Sequence, residues 1–334
     1  MTKRVEYLNG SKRLSKDTWF GGRLRVSKPL RNAWGPIVDY LRFELARSAR
    51  GIATATLGDW VGPDTDPGGG IPDEDPRVSA TVFLAMMFAT AAKIARVLGE
   101  PGGEWQMARE QVGHAFLAEF FDSETGSVRG VGDDGFRQSH QVLALAVDLI
   151  PPEQIGSVVH GLVADVRARG NRLNTGALAT KWLLPVLTEY GHADLAFAIA
   201  TQRTFPSWGF WVDSGATSLW EHWHADSRSR GHYFLGTIDD WLFEHVAGLA
   251  PIEPGWQRAR IAPRCTHLLE RASAEVATPY GRLAVDWHRT PSELRIAIDV
   301  PVGVVATVEV GGFCRDYSSG QHDIIVRSRQ ARGS

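Results

Sequence analysis

At 334 residues with 43% hydrophobic side chains, the chain can bury a substantial core and suits one large and one small domain. A net charge of −2 gives no electrostatic case for nucleic acid or an acidic membrane, so any partner must be argued from a site. No charged start followed by an apolar run precedes a small-residue site, and nowhere do eighteen apolar residues run together, so a cytoplasmic address without membrane contact is the expectation.

Residues 1–28 carry eight Lys or Arg against two acids, with Gly21-Gly22 as a turn, and read as a polar extension. From Pro29 to Ser48 the apolar residues Trp34, Ile37, Val38, Leu41 and Leu45 recur at three- and four-residue steps, which predicts a helix that Gly51 stops. Leu57-Gly58-Asp59-Trp60 then opens an irregular stretch, VGPDTDPGGGIPDEDP, with four prolines, four glycines and five acids. Such a stretch reads as a functional lid or a disordered tip. The spacing of Asp64, Asp66, Asp73, Glu74 and Asp75 lacks the placed glycine and terminal glutamate of an EF-hand, so neither metal nor cofactor is expected.

Asp75-Pro76 pairs an N-cap with a proline at the first helical position and predicts a helix from Arg77 to Leu98, closed by Gly99. Helical patterns continue at Glu104 to Phe120, Gln138 to Leu149, Pro152 to Ala168, Thr175 to Tyr190, Asp194 to Arg203 and Phe234 to Ala247. Residues 29–250 therefore read as one helical domain of antiparallel hairpins, in a toroid or solenoid. After Pro251 the texture changes: Leu283, Val285 and Trp287, then Leu294, Ile296, Ile298 and Val300, then Ala306, Val308 and Val310 alternate with polar neighbours. Residues 251–334 read as a small antiparallel β-sandwich. Cys265 and Cys314 are too few for a disulfide framework and lack zinc-site spacing; free thiols are expected, with a single bridge as the alternative.

The chemistry concentrates in Phe205 to Tyr233, where Trp208, Trp211, Trp220 and Trp223 surround Glu221, with His222, His224 and His232 close in sequence. Aromatic rings beside an acid and an imidazole are what a pocket needs to stack a sugar ring and move a proton. The competing account for each tryptophan is wall or core.

In chain order, the segments Gly58-Asp59-Trp60, Leu173-Asn174-Thr175-Gly176, Leu183-Leu184-Pro185-Val186-Leu187, Pro206-Ser207-Trp208-Gly209, Gly215-Ala216-Thr217, Trp220-Glu221-His222-Trp223, His232-Tyr233, Trp241-Leu242 and Thr278-Pro279-Tyr280-Gly281 follow at set intervals. From Gly58 to its end the sequence resembles the catalytic region of inverting α-L-rhamnosidases, glycoside hydrolase family 78. The resemblance implies a mainly α fold with a β domain, a partial (α/α)6 barrel followed by a small C-terminal antiparallel β-sandwich. It implies Glu221 as the general base that activates water, with a structural carboxylate as the alternative. His232 matches a histidine that contacts the sugar, although Gly231 stands where the family has Asn. Trp60 matches a ring lining the rhamnose pocket, with core as the alternative. Asp59, Trp208, Trp220 and Trp223 complete the candidate substrate-binding set.

The family's general acid lies in an Asp-x-x-x-Arg-x-Glu run ending in Gly-Trp-x-Gly-Asp, and this sequence has no such run. Only 57 residues precede Gly58, and the nearest approximation, Asp39 with Arg42 and Glu44, has the wrong first interval and sits on an amphipathic helix. The front of the barrel is thus expected to be absent, and Glu74 is the candidate replacement acid. Three functions follow: a rhamnoside hydrolase, a sugar-binding or scaffold protein without turnover, or an enzyme repurposed toward another small molecule. An open barrel side would expose apolar helix faces, so a homo-oligomer is expected.

Overall fold

A computed structural model of the protein describes residues 27–66, 70–264 and 269–327. All but the end of the expected polar extension, and Cys265, lie outside these residues; Cys314 is an exposed free thiol. The described residues fall into two compact units, Ser27–Ile238 and the residues from Asp239 onward.

The first unit is helical. Helix α1 (Ser27–Arg47) is followed by α2 (Pro76–Leu98) and α3 (Gly103–Phe120), which pack as a hairpin. Asp75 caps α2 by accepting from the Arg77 N–H, Pro76 occupies the first turn, and Gly99 ends the helix in the left-handed region, as the sequence predicts. By length and composition α2 could cross a membrane, but its Val78, Val82, Phe88, Ala91 and Ala95 are buried. Trp105 on α3 joins the three helices, stacking on Phe88 of α2 at 6.1 Å and meeting Trp34 of α1 edge-on at 6.3 Å. A two-residue ladder of β1 (Phe121–Asp122) and β2 (Ser127–Val128) precedes α4 (Gln138–Ala146), α5 (Ile155–Ala168), α6 (Thr180–Glu189), α7 (Ala193–Ala200) and α8 (Trp208–Asp213).

The helices depart from the expected pattern at three places. The helix expected from Thr175 begins at Thr180, because residues 176–179 are committed to hydrogen bonds with Asp59 and Trp60. Helix α8 is unpredicted, its six residues too short for a periodic signal; Ser207 caps it, Oγ accepting from the Phe210 N–H at 2.9 Å. The continuous helix expected over Phe234 to Ala247 is three pieces: a 3-10 turn (Phe234–Thr237), one α-turn, α9 (Ile238–Trp241), and a π-helical turn (Leu242–Ala247).

The second unit is a pair of four-stranded sheets. One has the order β10-β7-β6-β5, with β5 (Arg271–Thr278), β6 (Gly281–Arg289), β7 (Glu293–Val300) and β10 (Gly320–Arg327), all antiparallel. The other runs β3-β4-β8-β9, with β3 (Leu249–Pro251), β4 (Arg258–Ile261), β8 (Val305–Val310) and β9 (Phe313–Tyr317). Here β4 pairs with β8 in parallel, a departure from the fully antiparallel expectation that alternation alone cannot reveal. Period-two patterning holds where it matters: Leu283, Val285, Trp287, Ile296, Ile298, Ala306 and Val308 form the core, and the Trp287 indole N–H donates to the Val246 carbonyl at 3.0 Å.

Candidate functional site

The site is built on two segments far apart in sequence that lock together. The buried Asp59 carboxylate accepts three backbone N–H bonds, from Gly176 at 2.7 Å, Leu178 at 2.8 Å and Ala179 at 3.0 Å, satisfying donors that precede α6. The Trp60 carbonyl accepts from Ala177 at 2.9 Å. Gly176 lies so close that a Cβ there would fall 2.2 Å from both the Asp59 and Trp60 carbonyl oxygens, so only glycine fits. The Gly-Asp-Trp and Asn-Thr-Gly segments picked out in the sequence are thus two halves of one joint. Burial, then the neighbouring Glu74 charge, raise the Asp59 carboxyl to about 7 against the pull of its three amide donors. Asp59 is a structural acceptor here, with both oxygens occupied.

A tryptophan frame stands on this joint. The Trp223 indole N–H donates to the Thr175 carbonyl at 2.9 Å, Trp211 to the Trp223 carbonyl at 3.0 Å, and Trp208 to the Leu235 carbonyl at 2.7 Å. Trp211 stacks on Trp223 at 4.9 Å, Trp208 meets it edge-on at 5.2 Å, and the Arg230 guanidinium lies 4.7 Å from the Trp220 ring. Trp208, Trp220 and Trp223 are 9%, 2% and 0% exposed, so they offer no open face to a ligand and act as the wall.

Between these anchors Glu221 is only partly buried. Its N–H donates to the Ser229 carbonyl at 3.0 Å, fixing the backbone, while no hydrogen bond or ion pair to another described residue engages its carboxylate. His232 is held by its own N–H, which donates to the Leu219 carbonyl at 3.0 Å, and its ring lies 4.1 Å from that of Phe234. Phe234 in turn meets Trp60 edge-on at 5.4 Å, so His232, Phe234 and the partly buried Trp60 form one aromatic run. Sequence reasoning missed Phe234, and it noted His222 and His224 without assigning them a role; they tie the segment to the loop at Gly62–Thr65. The only available signal was an alternation of histidine and tryptophan, which does not say what the imidazoles reach.

Glu74 lies in a different environment. Its Oε1 accepts the Asp59 N–H at 2.6 Å, its Oε2 the Ser139 hydroxyl at 3.3 Å, and His140 Nε2 stands 3.6 Å away. Asp133 flanks the other side of His140, 3.2 Å from Nδ1, and accepts the Asp75 and Gly130 N–H groups at 2.7 and 2.8 Å. Neither imidazole nitrogen makes a well-directed hydrogen bond, so the contacts are ionic in character. Burial works against charge on His140, but Asp133 and Glu74 outweigh it and raise the imidazole to about 9. Burial likewise opposes ionised Glu74 and Asp133; His140 wins in both, lowering Glu74 and bringing Asp133 to about 2. The cleft beside Glu74, lined by Asp59, Asp64, Thr65, Arg137 and Asn174 among others, measures about 20 Å³, room for a water but not for a sugar ring. A carboxylate held ionised and walled off is poorly placed to act as an acid.

The acid loop is pinned along its described length: Asn174 Nδ2 donates to Asp64 at 2.8 Å, Arg137 to the Asp73 carbonyl, and the Asp75 carboxylate accepts from Val131 and Arg77. Its acids form no metal-binding cluster among the described residues. The Asp39, Arg42, Glu44 set has an ordinary surface role, Arg42 pairing with Glu104 at 3.0 Å and Glu44 with Arg47 at 3.3 Å.

Comparison with known proteins agrees along the chain. The family model for the bacterial alpha-L-rhamnosidase six-hairpin glycosidase domain matches residues 26–246, and that for the bacterial alpha-L-rhamnosidase C-terminal domain matches residues 248–324. An alpha-L-rhamnosidase of Alteromonas sp. (strain LOR) is 30% identical over 295 residues, covering 84% of this chain and 32% of its own. One from Streptomyces avermitilis is 30% identical over 311 residues, covering 90% and 28%. Among solved structures, Streptomyces avermitilis alpha-L-rhamnosidase complexed with L-rhamnose superposes with a TM-score of 0.82 at 27% identity, over 93% of this chain and 32% of that one. The Aspergillus terreus enzyme gives 0.82 at 25%, over 94% and 38%. The chain spans about a third of the length of these relatives.

Proposed function

The chain belongs to the bacterial α-L-rhamnosidase family of six-hairpin glycosidases, and from that premise we propose that it recognises a terminal α-L-rhamnosyl group and hydrolyses it by inversion, with Glu221 as general base. The observation that carries this is the contrast within one short segment: Trp220 and Trp223 are buried and the backbone is hydrogen-bonded, yet the carboxylate between them is partly open and engaged by no other described residue. A carboxylate so held can take a proton from a water as that water's oxygen attacks the anomeric carbon and the bond to the leaving oxygen breaks. The His232, Phe234 and Trp60 rings suit the apolar face and C6 methyl group of rhamnose.

Inversion also needs an acid, about 6.5–9.5 Å from the base, to protonate the leaving oxygen. Glu74 is held ionised beside a cleft too small for a sugar, and this favours a second reading, sugar binding without turnover of unactivated glycosides. An aryl rhamnoside whose leaving group needs no protonation separates the two. Hydrolysis by the wild type, lost in Glu221→Gln, supports the base; equal inertness of both, with L-rhamnose binding by calorimetry, supports the binder.

A further inference from the structure

The loop after Trp60 is joined to the Glu221 segment by two imidazoles whose protonation can be deduced. The Thr65 hydroxyl donates its single proton to the Gly62 carbonyl at 2.8 Å, so toward His222 Nε2, 3.0 Å away, it can only accept. His222 Nε2 therefore carries hydrogen. Its Nδ1 faces the His224 N–H at 3.3 Å and accepts it, so the ring is the neutral Nε2–H tautomer with both nitrogens used. His224 Nε2 lies 3.0 Å from the Pro63 carbonyl, which can only accept, and so it too carries hydrogen. On its far side the same loop is held by Asn174, through Asp64.

We propose that His222 and His224 are positioning residues that latch the Gly62–Thr65 loop to the Glu221 segment, fixing the carboxylate relative to the Trp60, Phe234 and His232 rings. The proposal rests on reading Glu221 as the base. Adjacent to Glu221, His222 is 1% exposed and ties the segment down from the loop side, as Trp223 does from the Thr175 side. The charged and titratable groups around it are His224, Asp226 and Glu221 on its own segment and Asp66 on the loop. Burial and His224 lower the His222 imidazole below its ordinary range, so it stays neutral until the medium is acid. Protonation would then put a second hydrogen on Nδ1, facing the His224 N–H donor to donor, and the latch would open.

The test compares the wild type with His222→Ala, His224→Ala and His222→Gln, whose carboxamide can donate to Thr65, accept from His224 and does not titrate. Native-state proteolysis reads cleavage between Val61 and Asp75, thermal unfolding checks the fold, and calorimetry with L-rhamnose reads the site. The alanine variants should be cut up to about tenfold faster, the value of one lost hydrogen bond, and bind L-rhamnose correspondingly more weakly, with His222→Gln restoring most of both. Acidification from about pH 7.5 to about pH 4.5 should accelerate cleavage of the wild type more than that of His222→Gln. Unchanged cleavage in His222→Ala, no rescue by glutamine, or the same pH response in wild type and His222→Gln overturns the latch. Faster cleavage with unchanged rhamnose affinity overturns the positioning role. If no protein binds rhamnose at any pH, the sugar reading fails, and the cleavage pattern still decides the latch.

Discussion

Two groups of carboxylates lie in the helical unit, and they are treated in opposite ways. Around His140, Glu74 and Asp133 are buried and held ionised, each accepting backbone N–H bonds, and the neighbouring cleft has no room for a sugar ring. Glu221 has a hydrogen-bonded backbone and buried flanking rings, while its oxygens make no hydrogen bond or ion pair to another described residue. The difference separates two uses of a carboxylate: Glu74 and Asp133 hold the scaffold through their partners, whereas the Glu221 carboxylate makes no hydrogen bond or ion pair to another described residue.

Substitutions can break this comparison, the most severe being at Glu221. Glu221→Gln should lower hydrolysis of an activated aryl rhamnoside by about 10²–10⁴-fold, while the urea unfolding midpoint stays put. His140→Ala should do the reverse, removing about 3–5 kcal/mol of unfolding free energy because two buried carboxylates lose their counter-charge. The pH profile sharpens the same point. The His140 pKa is raised from 6.5 to about 9 on folding, so the folded state holds more protons across that window. Its stabilising contribution is complete below 6.5 and is lost as pH rises through about 9, at up to about 1.4 kcal/mol per pH unit, and His140→Ala should flatten that slope. Asp59→Asn should cost about 1–3 kcal/mol, since its carboxamide nitrogen must face an amide donor at the Gly176 joint. Arg42→Ala, which breaks an exposed pair with Glu104, should cost under about 1 kcal/mol.

Much of the fold was legible because its signals are local. The Asp75 cap, Pro76 and Gly99 bracket α2 within about a residue, and alternation placed the inward residues of β6, β7 and β8. What stayed hidden is non-local. Nothing near Thr175 says that its neighbours will be held by Asp59, and a parallel β4–β8 pair looks in sequence like any other. At the site, the segment around Glu221 could be found from its residue types and its family resemblance. The tryptophans could not be sorted in that way, because an indole that stacks on a ligand and one that donates to a buried carbonyl are the same letter. Glu74 looked eligible as an acid only until its partners were visible.

The joint at Gly176 also bears on how the chain reaches this structure. Asp59 meets Gly176 across 117 positions, and Thr65 meets His222 across 157, whereas the α2–α3 hairpin closes over a few residues. Closing long loops costs chain entropy before any contact rewards it, so the hairpin can form early, ahead of the Asp59 joint and the Thr65–His222 contact. The Asp59–Gly176 joint and the contact between the Gly62–Thr65 loop and His222 therefore belong to the later part of folding, after the local hairpin.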